Sequence, residues 1–102
     1  MKKVLISRGY GAGWSSWNNE GVGKFMAEYE PIIELVEKGE ILTENHSVVL
    51  QMVKEIQEKY NKNYVCLLGL GNLEVESVSG PYKIREYDGA EWVEEKDNEE
   101  WW

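Results

Sequence analysis

The order of hydrophobic periods predicts an α+β fold: a mostly antiparallel sheet of four to five strands with two helices packed on one face, in the order β-α-α-β-β-β-β. Three observations carry this. Apolar residues recur at helical spacing between Gly23 and Tyr60, the spacing changes to a period of two from Tyr64 onward, and Gly, Pro and Asp-Gly punctuate the second half at short intervals. The chain has 102 residues, 42% hydrophobic and 29% charged, the balance of one globular domain with one modest core. Residues 1–95 are assigned to that domain. Residues 96–102 are expected to form an acidic tail, loose unless Trp101 and Trp102 dock on a surface.

Lys3 to Ser7 reads as a first strand, short and apolar, broken by the glycines that follow. From Gly23 to Lys38 the residues Phe25, Met26, Tyr29, Ile32, Ile33 and Val36 form a helical stripe that Gly39 ends. Pro31 inside it predicts a kink, or two short helices with the proline in the first turn of the second. The next helix, with Val48, Val49, Met52, Val53, Ile56 and Tyr60 on one face, is expected to be capped by Asn45 or Ser47 and to end at Asn61-Lys62-Asn63. Strands follow at Tyr64 to Leu68, Leu73 to Val78 and Tyr82 to Tyr87. Asp88-Gly89 then offers a hairpin turn into a last strand at Glu91 to Glu95.

The formal charge is -8, and nearly all of the excess sits at the end. Residues 1–85 carry eleven acids against ten bases, whereas residues 86–102 carry eight acids against Lys96 alone. With the bases scattered, direct nucleic-acid binding is not expected. An acidic face meeting a basic partner, or a solvated charge run, fits better. No apolar run is long enough for a membrane span and none reads as a signal peptide, so a cytoplasmic location is expected. The lone Cys66 between Val65 and Leu67 reads as an inert core residue. Five tryptophans and six tyrosines leave more aromatic area than one small core hides, which makes a homo-oligomer a further expectation.

The chemistry-bearing stretch is Ile6 to Asn18, with Arg8, Gly9, Tyr10, Gly11, Gly13, Trp14, Ser15, Ser16 and Trp17 in one strand-end loop. Its spacing fails the dinucleotide fingerprint, where Trp14 or Ser16 replaces the last glycine. No P-loop exists either, because the one Gly-Lys pair, Gly23-Lys24, is followed by Phe25. Gly13-Trp14-Ser15-Ser16-Trp17 begins like a nucleophile elbow, but Trp17 stands in place of its closing glycine. A small hydrolase using Ser15 or Ser16 with His46 is the weakest reading; a surface or capping role suits the only histidine better. One Cys and one His fall short of a zinc set, and no cofactor is expected. What remains is a binding loop. Glycines let backbone N–H groups approach a ligand, Arg8 can pair with an anion, and Tyr10, Trp14 and Trp17 offer flat faces. Arg85 and Tyr87 on a later strand are expected to join it if the strands are neighbours. The same residues suit a nucleotide-like molecule, a protein hot spot, or a lid over the chain's own core.

Ile6-Ser7-Arg8-Gly9-Tyr10-Gly11-Ala12-Gly13-Trp14-Ser15-Ser16-Trp17-Asn18, together with Gly80-Pro81-Tyr82-Lys83-Ile84-Arg85-Glu86-Tyr87-Asp88-Gly89, resembles a family of small bacteriophage and prophage proteins with no established activity. The likeness runs from about Lys3 to Val93. It implies an accessory protein that acts on host machinery, including inhibition of a defence factor, by occupying a protein surface or by sequestering a nucleotide signal. It implies no catalytic residue.

Overall fold

The computed structural model describes residues 2–62 and 64–95. The expected tail at 96–102, with Trp101 and Trp102, and the helix-ending Asn63 lie outside them. The fold is α+β with antiparallel strands. β1 (Lys2–Ser7) pairs with β2 (Leu73–Val78), Lys2 opposite Val78 and Ser7 opposite Leu73. β3 (Tyr82–Tyr87) pairs with β4 (Ala90–Glu95), Tyr82 opposite Glu95 and Tyr87 opposite Ala90. Asp88 at φ 51° and Gly89 at φ 90° make the tight turn between them, as Asp-Gly predicts.

Among the described residues the strands form two two-stranded sheets rather than one larger sheet, and β1 supplies the reason. Its residues Val4, Leu5, Ile6 and Ser7 are all fully buried, which for alternating side chains means that both faces are covered. Leu5 joins the main core with Val22, Met26, Ile32 and Met52. Val4 and Ile6 join a second cluster with Ala27, Val78, Tyr82 and Ile84. The β3–β4 pair therefore packs on the face of β1 opposite Leu5, instead of extending the sheet sideways.

The stripe broken by Pro31 is two short helices, α1 (Glu20–Ala27) and α2 (Glu30–Glu37), with the proline in the first turn of α2. Asn19 caps α1 through its side chain, which accepts from Val22 N at 3.2 Å. After α2, Gly39 at φ 76° turns the chain while Gly39 N and Glu40 N close on Val36 O and Leu35 O, the left-handed ending that glycine favours. α3 (Ser47–Tyr60) is capped by neither Asn45 nor Ser47. The cap is His46, whose Nδ1 accepts from Val48 N at 3.2 Å.

The strand expected at Tyr64 to Leu68 does not form. Val65 and Cys66 are buried as predicted, but the backbone there pairs with a side chain. Asn18 Oδ1 accepts from Cys66 N at 2.9 Å and Asn18 Nδ2 donates to Cys66 O at 3.2 Å. One carboxamide thus replaces the two bonds a neighbouring strand would make. The chain then enters a 3-10 turn at Leu68–Asn72. Among the described residues no helix is long and apolar enough to cross a membrane.

Two acid–phenol pairs tie the elements together. Tyr82 donates to Glu28 Oε2 and Tyr29 to Glu55 Oε2. Burial first, and the adjacent carboxylate second, push both phenols well above the ordinary tyrosine value. Because the folded pKa is raised, this contribution to stability is complete below the unfolded value of about 10 and is lost as pH rises from there through the higher folded value. In an alkaline titration followed by absorbance and circular dichroism, Tyr29 and Tyr82, identified by Phe variants, should ionise only as the protein unfolds. Phenolate formation at either position in the native state would contradict the packing.

Candidate functional site

β1 ends at Ser7, and the chain from Arg8 to Asn18 folds back over the tip of the β3–β4 hairpin. Gly11, at φ 74°, donates its N–H to Asp88 O. Gly89 faces the same segment so closely that a Cβ there would meet Ala12 N and, at 2.8 Å, Gly11 N. Ser7 Oγ donates to Ala12 O. Gly13 lies under the indole of Trp17, where no side chain would fit. A 3-10 turn at Ser15–Trp17 closes the loop.

Inward-pointing amides at this loop already hold an anion, and it belongs to the chain. Glu91, at the start of β4, is 2% exposed. Its Oε1 accepts from Ser7 N at 2.8 Å; its Oε2 accepts from Trp14 N at 2.9 Å, from Ser16 N at 3.0 Å and from Ser16 Oγ. Among the described residues Glu91 makes no ion pair. Three backbone N–H groups and a hydroxyl thus replace its water, the way loop amides hold phosphate or carboxylate ligands. The glycine loop is an anion cradle closed by an internal carboxylate.

This arrangement sorts the predicted site residues. Trp14 is fully buried in the main core, with its Nε1 donating to Met26 O at 3.3 Å; it offers no face to a ligand. Tyr10 is 73% exposed, Tyr87 72% and Trp17 37%. They surround the junction, since Gly11 bonds to Asp88 and Trp17 Nε1 donates to Glu86 Oε2 at 3.2 Å. Arg8 and Arg85 are not joined by strand pairing, because β1 and β3 belong to different sheets. Arg8 lies against Glu76 at 2.5 Å and Glu74 at 3.7 Å on β2, whereas Arg85 Nε donates to Glu94 Oε2 at 2.9 Å. Gly9 sits where a Cβ would strike the Asn72 side chain.

The serines divide as well. Ser16 Oγ is taken by Glu91, while Ser15, 1% exposed, has a buried Oγ with no hydrogen-bond partner among the described residues. No hydrogen bond joins His46 to either serine: its Nδ1 caps α3 and its Nε2 lies 3.6 Å from Glu40. Beside the 3-10 turn an open cleft of about 370 Å³ runs along β3, lined by Ser15, Ser16, Asn18, Lys83, Ile84, Arg85 and Glu86.

Glu91 is the position at this junction that the loop motif does not announce. Glu91 reads as one more acid of the C-terminal run, yet the alternation of β4 puts it on the face of Val93 and opposite Trp92. That inward register was the available signal. No protein-family model, curated protein or solved structure matches the chain.

Proposed function

We propose that the chain is a non-enzymatic accessory protein of the bacteriophage type that binds and inhibits a host protein, with the junction of the glycine loop and the β3–β4 hairpin as its contact surface. One observation carries the reading. The two segments on which the phage-family resemblance rests, Ile6 to Asn18 and Gly80 to Gly89, fold against each other through Gly11, Trp17, Glu86 and Asp88, and the junction turns Tyr10, Trp17 and Tyr87 outward beside Arg85.

The Glu91 cradle supports this from inside. A loop rich in glycine would lose much conformational entropy on binding unless it were already held in one shape. Here the carboxylate holds it, so large aromatic faces are presented on a fixed frame, as in tight protein interfaces. A combined Tyr10→Ala, Trp17→Ala, Tyr87→Ala variant should lose capture of the partner from bacterial lysate, with affinity falling at least about thirtyfold per critical aromatic, while the midpoint of thermal unfolding stays within a few degrees. Equal capture by the variant would reject the surface.

A further inference from the structure

We infer that the cleft between the 3-10 turn Ser15–Trp17 and β3 is a binding site for a nucleoside monophosphate, with the Ser15 hydroxyl and the Lys83 ammonium as phosphate ligands. The inference goes beyond the partner-binding reading; the proposed site shares Trp17 and Arg85 with that surface, but the two phosphate ligands, Ser15 and Lys83, lie outside it, so their variants test this site separately. Its first support is the Ser15 Oγ. Buried hydroxyls are nearly always bonded, and an orphan costs stability unless something outside the protein completes it. Ser15 is 1% exposed, its buried Oγ has no hydrogen-bond partner among the described residues, and the residue lines an open cleft.

Charge supplies the second support. Among the described residues Lys83 makes no ion pair, although it stands on β3 opposite Glu94. That acid is turned to Arg85 instead. The cleft is thus lined by two cations and one acid, and the acid, Glu86, already accepts from Trp17 Nε1 and Gly89 N through its Oε2. An anionic group entering here meets the Lys83 ammonium, which pairs with no acid among the described residues, while Arg85 is turned to Glu94.

Size and shape select among anions. A volume of about 370 Å³ lies in the range of small-molecule pockets and is far larger than one phosphate needs. Ile84, 6% exposed, contributes apolar wall. Next to the lining serines stands Trp17, whose ring has one face against Gly13 while the residue remains 37% exposed. A planar base can stack on the open face while its phosphate reaches Ser15 and Lys83. The adjacent Glu91 cradle is not the phosphate site, since its donors are already taken.

The test uses the full chain in calorimetric titrations with AMP, GMP, CMP and UMP, and with inorganic phosphate and adenosine as partial probes. At least one monophosphate should bind at least about tenfold more tightly than phosphate or adenosine. Ser15→Ala should weaken it about fivefold and Lys83→Gln about tenfold, the losses expected for a neutral and a charge-assisted hydrogen bond. Because Ser15→Ala also removes an unsatisfied buried hydroxyl, the unliganded variant should unfold at the same or a higher temperature. The proposal fails if no monophosphate binds at about 10 mM, if phosphate alone binds as tightly, or if both variants bind normally. A lower unfolding temperature for Ser15→Ala would also overturn it, since the hydroxyl would then be a structural partner.

Discussion

Replacing Glu91 by Gln should lower stability by about 2–3 kcal/mol, although the two side chains are nearly the same size. Both carboxylate oxygens are acceptors in use, Oε1 for Ser7 N and Oε2 for Trp14 N, Ser16 N and Ser16 Oγ. A carboxamide has one acceptor and one donor. Whichever way it is turned, its NH₂ faces at least one backbone N–H, which is left buried and unbonded. Glu91→Ala removes every acceptor and opens a cavity, and should cost about 3–5 kcal/mol. Against a total of about 5–15 kcal/mol for a domain, that is enough to unfold a marginal chain. For the Gln variant the thermal midpoint should fall by about 10–20 °C. A fall of only a degree or two would mean that the cradle holds nothing.

Gly89→Ala should cost about 2–4 kcal/mol by a different route. Part of the penalty is local, because φ 90° is a conformation that side chains disfavour by about 1–2 kcal/mol. The rest comes from outside the hairpin, where the new methyl would collide with the backbone at Gly11 and Ala12 and force the loop off the turn. Gly11→Ala is the control. It shares the positive φ, at 74°, but nothing lies within 4 Å of its would-be Cβ. It should show the local penalty alone. Equal losses in denaturant titrations of the two variants would mean that the loop does not press on the hairpin.

These two positions also show what the sequence could and could not reveal. Element types were legible because they follow from local pattern. The period change, Pro31 in the first turn of α2, Gly39 after it and the Asp88-Gly89 turn all act within a few residues. The missed features are long-range. Asn18 replaces a strand partner for Cys66 from 48 residues away, so the apolar Tyr64 to Leu68 reads as a strand although none forms. The continuous run Val4-Leu5-Ile6 signals burial on both faces, but it does not say that the second cover would be the β3–β4 pair rather than more sheet. His46 caps α3 through its ring, a role that Asn45 and Ser47 fill more often.

The glycines of the loop suggested amides free to meet an anion, but the amides that do so are those of Ser7, Trp14 and Ser16, while Gly11 N bonds to Asp88 O. The anion itself was not legible, because Glu91 is 75 residues from Ser16 and lies inside a run of acids that reads as solvated charge. Trp14 and Trp17, three residues apart, also go to opposite fates. Trp14 enters the core, where Met26 O receives its N–H, and Trp17 lies over Gly13 with part of its ring in solvent. The two readings left open by the loop, recognition surface and core lid, therefore apply to different residues. The inner half of the loop is lid, and its outer half is the surface to which we assign partner binding.

The most direct measurement of the central claim is amide hydrogen exchange at Ser7, Trp14 and Ser16 in the wild-type chain and in Glu91→Gln. If the carboxylate closes the cradle, these three amides exchange as slowly in the wild type as the core of α3. In the variant at least one of them should exchange about a hundredfold faster relative to α3. Rapid exchange at all three in the wild type, with α3 still protected, would show that the glycine loop is not held by Glu91.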